Sequence, residues 1–299
     1  MTLFSQRISM RIKLIILLNL FLTLEALSTT NNNRPRIPVI RYEDDWVCVN
    51  KPAGISVHRT ASTRRNEVTL KSILKKQLAR KVYPVHRLDH RTSGAILFAF
   101  DAATCGQIHD KLRNGEKDYI ALLRGEWKYD TPSVTIDDPL KVDGVLKDAE
   151  TVFTLVASSS FRDMPCSLVM CHPKTGRTHQ IRRHAYHLGH PMLGDSQHGD
   201  SRVNRLWRTQ RGLNRLALHC LSIHLAEEDA PCIAPLSPEL RAVLEEDETM
   251  WQSIMEFDPR FGFDSVDERG GTFGRNYRKQ QNKQEEDPVV LTEETPGSN

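Results

Sequence analysis

Apolar and polar positions divide the chain into segments with distinct periods. Val39-Ile40-Arg41-Tyr42, an acidic turn (Glu43-Asp44-Asp45) and Trp46-Val47-Cys48-Val49-Asn50 predict two short strands, and Lys51-Pro52-Ala53-Gly54 then forces a bend. Between Val68 and Lys81 the apolar residues fall at Leu70, Ile73, Leu74 and Leu78, the spacing of one helical face, with Lys71, Lys75, Lys76 and Arg80 opposite. A Tyr83-Pro84 break leads through His86–Gly94 into the apolar run Ala95–Phe100. This predicts a strand preceded by a loop that holds Asp89 on a short turn at the edge of a sheet. Ala102 to Arg113 predicts a helix stopped by Asn114-Gly115, and Lys117 to Leu123 a strand ending at Gly125. Residues 130–150 are polar, with scattered Pro and Gly, and predict little. Thr151–Ala157 and Ser167–Cys171 have strand character. A helix starting near Thr178 would bury Ile181, Ala185 and Leu188 and stop at Gly189. Ser237-Pro238-Glu239 opens a last helix with a cap residue, a proline and an acid in the first turn.

Composition changes the picture at both ends. Arg7, Arg11 and Lys13 precede an apolar run from Leu14 to Leu24, with small residues at Ala26 and Ser28 and a polar linker to Asn33. The run is shorter than the ~20 residues of a membrane span and has the layout of a targeting leader. The expectation is an organelle address, plastid or mitochondrial, removed from the mature protein. A start codon upstream of a cytoplasmic enzyme is the alternative. From residue 261 the chain is rich in Gly, Gln, Glu and Lys, and a disordered tail over 261–299 is expected. Residues 34–260 remain as one domain, long enough for a sizeable core.

Charge adds a second pattern. The formal net charge is only +3, but residues 59–91 carry ten Lys/Arg against two acids, and residues 174–215 carry nine against two. These blocks hold +8 and +7, leaving about −12 for the rest, as expected if a polyanion lies across one face. Six cysteines without a C-x-x-C pair predict reduced thiols in an ordinary interior.

Three strings carry chemistry. The first is His86-Arg87-Leu88-Asp89-His90-Arg91-Thr92-Ser93-Gly94, in which two arginines flank a carboxylate and favour its charged form. Lys117-Asp118-Tyr119-Ile120-Ala121 is the second. The third is Gly176-Arg177-Thr178-His179-Gln180-Ile181-Arg182, where a Pro–Gly turn delivers backbone N–H groups and Arg177. Together with Arg215-Leu216-Ala217-Leu218-His219, these strings resemble the motifs of the RluA-type pseudouridine synthases. Arg182 through Arg202 is similar to a tRNA-modifying branch of that family. The likeness runs from about Pro38 to Phe257.

The resemblance implies an α+β fold, the pseudouridine synthase catalytic domain, with a mixed, largely antiparallel sheet and a central RNA-binding cleft. It implies Asp89 as nucleophile, Arg182 paired with it, Tyr119 stacked on the base and Leu218 beneath it. Arg87 would fill the space left by a flipped nucleotide. His86, Arg177 and His179 would contact substrate. Isomerisation of uridine cuts the N1–C1′ bond and rejoins the ring through C5, which requires no cofactor, metal or phosphate donor. The expected partner is RNA, most of all tRNA with ribosomal RNA as the alternative, acted on by a monomer without a stable membrane span. Two other classes compete. One is a metal-dependent hydrolase built on the five histidines between His179 and His198, with His184 and His187 at i,i+3. The other is an RNA-binding protein without activity, which would have no use for a buried carboxylate.

Overall fold

The computed structural model describes residues 36–59 and 67–263. The leader lies outside the described residues, as does all of the expected tail except Phe261–Phe263. The described residues from Ile37 onward form one unit.

The two N-terminal strands are β1 (Val39–Tyr42) and β2 (Trp46–Lys51). Helix α1 (Leu70–Gln77) buries Leu70, Ile73 and Leu74, and Thr69 caps it through a reciprocal bond with Ser72. A two-residue strand β3 (Tyr83–Pro84) leads to the loop of Asp89 and then to β4 (Ser93–Ala99), which is buried throughout. Helix α2 spans Ala102–Arg113 and is capped by Asp101. Strand β5 spans Glu116–Arg124. The polar stretch forms β6 (Ser133–Ile136) and a small hairpin, β7 (Leu140–Val142) with β8 (Val145–Lys147). Then come β9 (Thr151–Ser159), β10 (Cys166–Pro173), α3 (Gln180–His187), α4 (Ser201–Arg211), β11 (Leu218–His224) and β12 (Cys232–Ile233). Helices α5 (Pro238–Glu245) and α6 (Glu248–Phe257) end in a 3-10 turn, Pro259–Gly262.

Eight strands run in the order β1-β2-β4-β11-β5-β10-β9-β6, with β3 beside β4 and β12 beside β11. Every pairing in this sheet is antiparallel except β4 with β11. The fold is therefore α+β with a mixed, mostly antiparallel sheet. Alternation along β5 fills both faces. Tyr119, Ala121 and Leu123 join the core beneath α1, α2 and α3, while Ile120 and Leu122 join the core beneath α4, α5 and α6.

The strand after Asp89 is interior to the sheet, as suits an all-apolar run that is stable only when paired and covered on both sides. Three expectations need correction. Helix α5 is not the last one, since Asp247 caps α6. The tail does not start at 261, because Phe261 is fully buried among α5 and α6 residues. Helix α3 starts at Gln180 rather than near Thr178, because His179 is left-handed (φ 55°) and the Gln180 side chain bonds back to Thr175 and the Arg177 N–H. Among the described residues the six cysteines are free thiols, and no helix is long and apolar enough to cross a membrane.

Candidate active site

The loop of Asp89 is held by the backbone and by one lysine. The Thr92 N–H donates to the Asp89 carbonyl (3.1 Å) and the Gly54 N–H to the His90 carbonyl (2.8 Å). Lys51, fully buried, donates its Nζ to the carbonyls of Thr92 (2.6 Å), Pro52 (3.0 Å) and His90 (3.2 Å). Burial, with Arg215 nearby, lowers its pKa to about 7. The Lys-Pro bend is thus a clamp on the loop, and sequence reasoning recognised only the bend. Behind it, Gly94 (φ 112°) lies so close to the Cys220 backbone that any Cβ would collide with it. This glycine permits the parallel pairing that sets the Asp89 loop beside Leu218. Ser93, His219 and Arg215 lock the same junction. Ser93 Oγ meets His219 Nδ1 at 2.7 Å and accepts from Arg215 Nη2 at 2.7 Å. Burial lowers the pKa of His219 to about 3, so it is a neutral hydrogen-bonding group.

A cleft of about 660 Å³ opens on this junction, and all eight residues expected at the site line it: His86, Arg87, Asp89, Tyr119, Arg177, His179, Arg182 and Leu218. Asp89 Oδ2 accepts from Arg182 Nη1 (3.1 Å), and His179 Nε2 lies 3.8 Å from the same oxygen. Among the described residues Oδ1 accepts no hydrogen bond, and the side chain is 20% exposed. Tyr119 is buried, which raises its phenol pKa well above the usual value, so it is protonated at neutral pH. Leu218 is buried at the start of β11. The cleft is lined by Arg87, Arg113, Lys117, Lys174, Arg177 and Arg182, with Asp89 as the one carboxylate among its lining residues. Burial lowers the Lys117 pKa. Arg113 and Lys117 lie outside both basic blocks seen in the sequence, because their neighbours in the chain are mixed in charge.

Three site details differ from expectation. Arg91 does not face Asp89, because its Nη1 donates to Ser196 Oγ (3.0 Å). His86 is not a free contact for substrate at Nε2, which accepts the Leu97 N–H (3.2 Å). Burial, with Lys117 nearby, lowers its pKa to about 3. The turn before α3 spends the N–H groups of Lys174 and Arg177 internally, on Glu150 O and Gln180 Oε1, and Arg177 Nε donates to Asp148 O (2.8 Å).

Sequence reasoning missed Asp195. Arg182 gives Asp89 one bond but gives Asp195 two, Nε to Oδ2 (2.7 Å) and Nη2 to Oδ1 (2.8 Å), with Gln197 Oε1 a further acceptor (3.0 Å). Asp195 is fully buried and also accepts the N–H groups of Gln197 and His198. Burial pushes its pKa up, but these donors outweigh that and hold it at about 2. The arginine that meets Asp89 is therefore fixed in place by a second carboxylate.

His184 bonds Thr151 and the Asp138 carbonyl, and His187 bonds the Asp138 side chain. Neither ring faces the cleft as a ligand pair. Among the described residues no group of three His, Cys, Asp or Glu is placed to hold a metal ion.

Comparison with known proteins bears on this arrangement. Residues 45–187 match the model of the RNA pseudouridylate synthase family. The chain is 35% identical over 208 residues to tRNA pseudouridine synthase C of Haemophilus ducreyi, covering 63% of this chain and 84% of that protein. It is 37% identical over 199 residues to ribosomal large subunit pseudouridine synthase C of Escherichia coli K12, covering 62% of this chain and 61% of that one. Among solved structures, Human RNA Pseudouridylate Synthase Domain Containing 1 aligns with a TM-score of 0.56 at 25% identity, over 76% of this chain and 97% of its own. A carboxylate seated on a buried arginine in a cationic cleft, on this sheet and with these relatives, places the chain in the RNA pseudouridylate synthase family, whose members isomerise uridine to pseudouridine in RNA.

Proposed function

We propose that Asp89 is the nucleophile of this isomerisation and that the substrate is a tRNA. The observation that carries the first part is the Asp89 carboxylate itself, with Oδ2 held by Arg182 and Oδ1 left open in the cleft. Asp89 adds through Oδ1 or promotes loss of the base, while Arg182 holds the carboxylate in place through Oδ2. Tyr119 stacks on the uracil as a neutral phenol and Leu218 supports its other edge. A uridine within a stem cannot reach this depth, so the nucleotide is flipped out and exposed Arg87 takes its place. Arg177 and Lys174, both lining the cleft, hold phosphate.

The tRNA reading rests on similarity to enzymes called tRNA pseudouridine synthase C. A ribosomal RNA target is the second reading, favoured by the likeness to ribosomal large subunit pseudouridine synthase C. Protein beginning near Arg34 is incubated with unmodified tRNA and with ribosomal fragments, with a chelator and without added nucleotide, and pseudouridine is mapped to single nucleotides. Conversion confined to the ribosomal fragments overturns the tRNA reading and leaves Asp89 standing. We further propose that the protein acts as a monomer, tested by its mass in solution, and that the residues before Arg34 direct it to a plastid or mitochondrion. Import of a fluorescent fusion tests the address, and a fusion retained in the cytoplasm refutes it.

A further inference from the structure

Isomerisation leaves one task that the residues above do not perform. When C5 joins C1′, C5 carries both the new bond and its original hydrogen. The proton on C5 must leave, its bonding pair forming C5=C6, while the pair of N1=C6 moves to N1, which takes up a proton. A group in the cleft must accept one proton and return one, with no net change.

Several cleft groups are unsuited to this. The Tyr119 phenol is protonated at neutral pH and raised further by burial. His86 spends Nε2 on the Leu97 N–H. His109 is more than half exposed, beside Asp110. His179 is different. Its ring stands 3.8 Å from Asp89 Oδ2, is 26% exposed, and its Nδ1 lies 3.3 Å from His198 Nε2. The two rings meet edge-on, with centroids 5.5 Å apart. A chain of three groups therefore runs from the reacting carboxylate to His198. The backbone under it is unusual. His179 adopts φ 55° and ψ 27°, a left-handed conformation that is strained for a non-glycine residue, and it occupies the N-cap position without making a side-chain cap bond. Such a departure at a cleft residue points to a role for its ring.

We propose that His179, backed by His198, is the base that takes the C5 proton and hands it to N1. This rests on Asp89 being the nucleophile. With Nδ1–H donated to His198 Nε2, the Nε2 lone pair of His179 faces the cleft. Taking the proton there makes an imidazolium beside Asp89, whose carboxylate is negative again as the adduct resolves, and the attraction favours the transfer. The proton then moves from Nε2 to N1, and the ring is neutral for the next turnover. Before the transfer both histidines are held neutral chiefly by burial, which lowers both pKa values. The charged groups around them are Asp89 from the loop before β4, Arg182 and Arg183 from α3, and Asp195 from the loop after it. The relay thus works above the pKa of His179 and fails as that ring is protonated from solution.

The test uses His179→Asn, which tolerates the left-handed backbone, and His179→Gly, which tolerates it and leaves a hole the size of a ring. The RNA is one that the wild-type protein converts, labelled with deuterium or tritium at C5 of its uridines. In single turnovers His179→Asn should be slower by about 100-fold, the usual lower range for losing a general base, with RNA affinity within about threefold. Its C5 isotope effect should exceed that of wild type, because proton removal becomes limiting. Free imidazole should restore part of the rate to His179→Gly, and His198→Asn should change the acid limb of the pH profile. A His179→Asn rate within about threefold of wild type overturns the proposal. So does weaker RNA binding with an unchanged isotope effect and no imidazole rescue, which would make His179 an RNA contact. Asp89→Asn is measured in parallel. Activity kept in that variant overturns both the nucleophile reading and this one. Activity lost there but kept in His179→Asn overturns the relay alone.

Discussion

Replacing Asp195 with asparagine tests whether the second carboxylate holds the site together. The substitution preserves shape. Asp195 Oδ1 accepts from Arg182 Nη2 and from the N–H groups of Gln197 and His198, and an asparagine oxygen can keep all three. At Oδ2, which accepts Arg182 Nε at 2.7 Å, an amide NH₂ would face an N–H donor. Arg182, with its side chain only 6% exposed, would then carry its charge with Asp89 as its remaining carboxylate partner among the described residues. Removing one partner of a buried ion pair costs about 3–5 kcal/mol, and the bonds asparagine keeps put this change near the lower figure. Linkage gives an independent magnitude. The carboxyl sits at about 2 instead of the usual 3.8, a depressed folded-state value. Its contribution is complete above about pH 4, is lost as pH falls through about 2, and amounts to about 2 kcal/mol. Urea unfolding followed by tryptophan fluorescence should thus show the variant about 2–3 kcal/mol less stable at pH 7, with Tm lower by about 5–10 °C. The gap should shrink toward pH 2 as wild-type Asp195 is protonated. A pH 7 difference under about 1 kcal/mol, or a gap independent of pH, would refute the argument that Asp195 fixes Arg182.

Asp89→Asn should abolish isomerisation and leave RNA affinity nearly intact. Turnover within about tenfold of wild type, a barrier change of only ~1.4 kcal/mol, would remove it from the nucleophile role. The exposed residues Lys75 and Lys76 on α1 and Arg205 and Arg208 on α4 should each hold phosphate. Neutralising them should flatten the salt dependence of RNA binding by roughly 0.7–0.9 per contact, and equal slopes in variant and parent would mean they are merely solvated. His219 is buried and neutral with a pKa near 3, so the unfolded chain binds its proton first as pH falls below the usual 6.5. Stability should drop by about 2 kcal/mol between pH 7 and pH 5 from this residue alone. A His219→Gln variant with the same pH dependence would contradict that.

The periodic elements were readable in the sequence where one period dominated. The helix at 102–113 is bounded as expected because Asp101 caps it and Asn114-Gly115 stops it. Strand β5 was visible for similar reasons. Helix α4 was not anticipated, since Ser201–Arg211 buries only Trp207 and Arg211 and shows almost no apolar stripe. Its signal was Asp200, whose carboxylate accepts the N–H groups of Arg202 and Val203 as an N-cap. Helix α6 has the same kind of cap in Asp247 and was overlooked behind the stronger Ser-Pro-Glu start of α5.

The site divides in the same way. The eight residues expected to face substrate lie in short, chemically unusual strings, and all of them line one cleft. The groups that hold them come from remote positions and are ordinary in their local surroundings. Lys51 reaches Thr92 across 41 residues, and Arg215 and His219 reach Ser93 across 122 and 126. No period or spacing encodes these contacts, because they exist only once β4 and β11 lie parallel. Asp195 is nearer in the chain, 13 residues from Arg182, but its string read as part of a histidine-rich segment instead of an ion pair. The physical reason is that a lone buried carboxylate and a lone buried arginine are each too costly to stand, so each needs a charge the fold supplies. In this protein Arg182 serves two carboxylates at once. Asp195, closed in and doubly bonded, sets the position of the guanidinium, and Asp89, singly bonded with one oxygen open, is left the freedom that its proposed role as nucleophile requires.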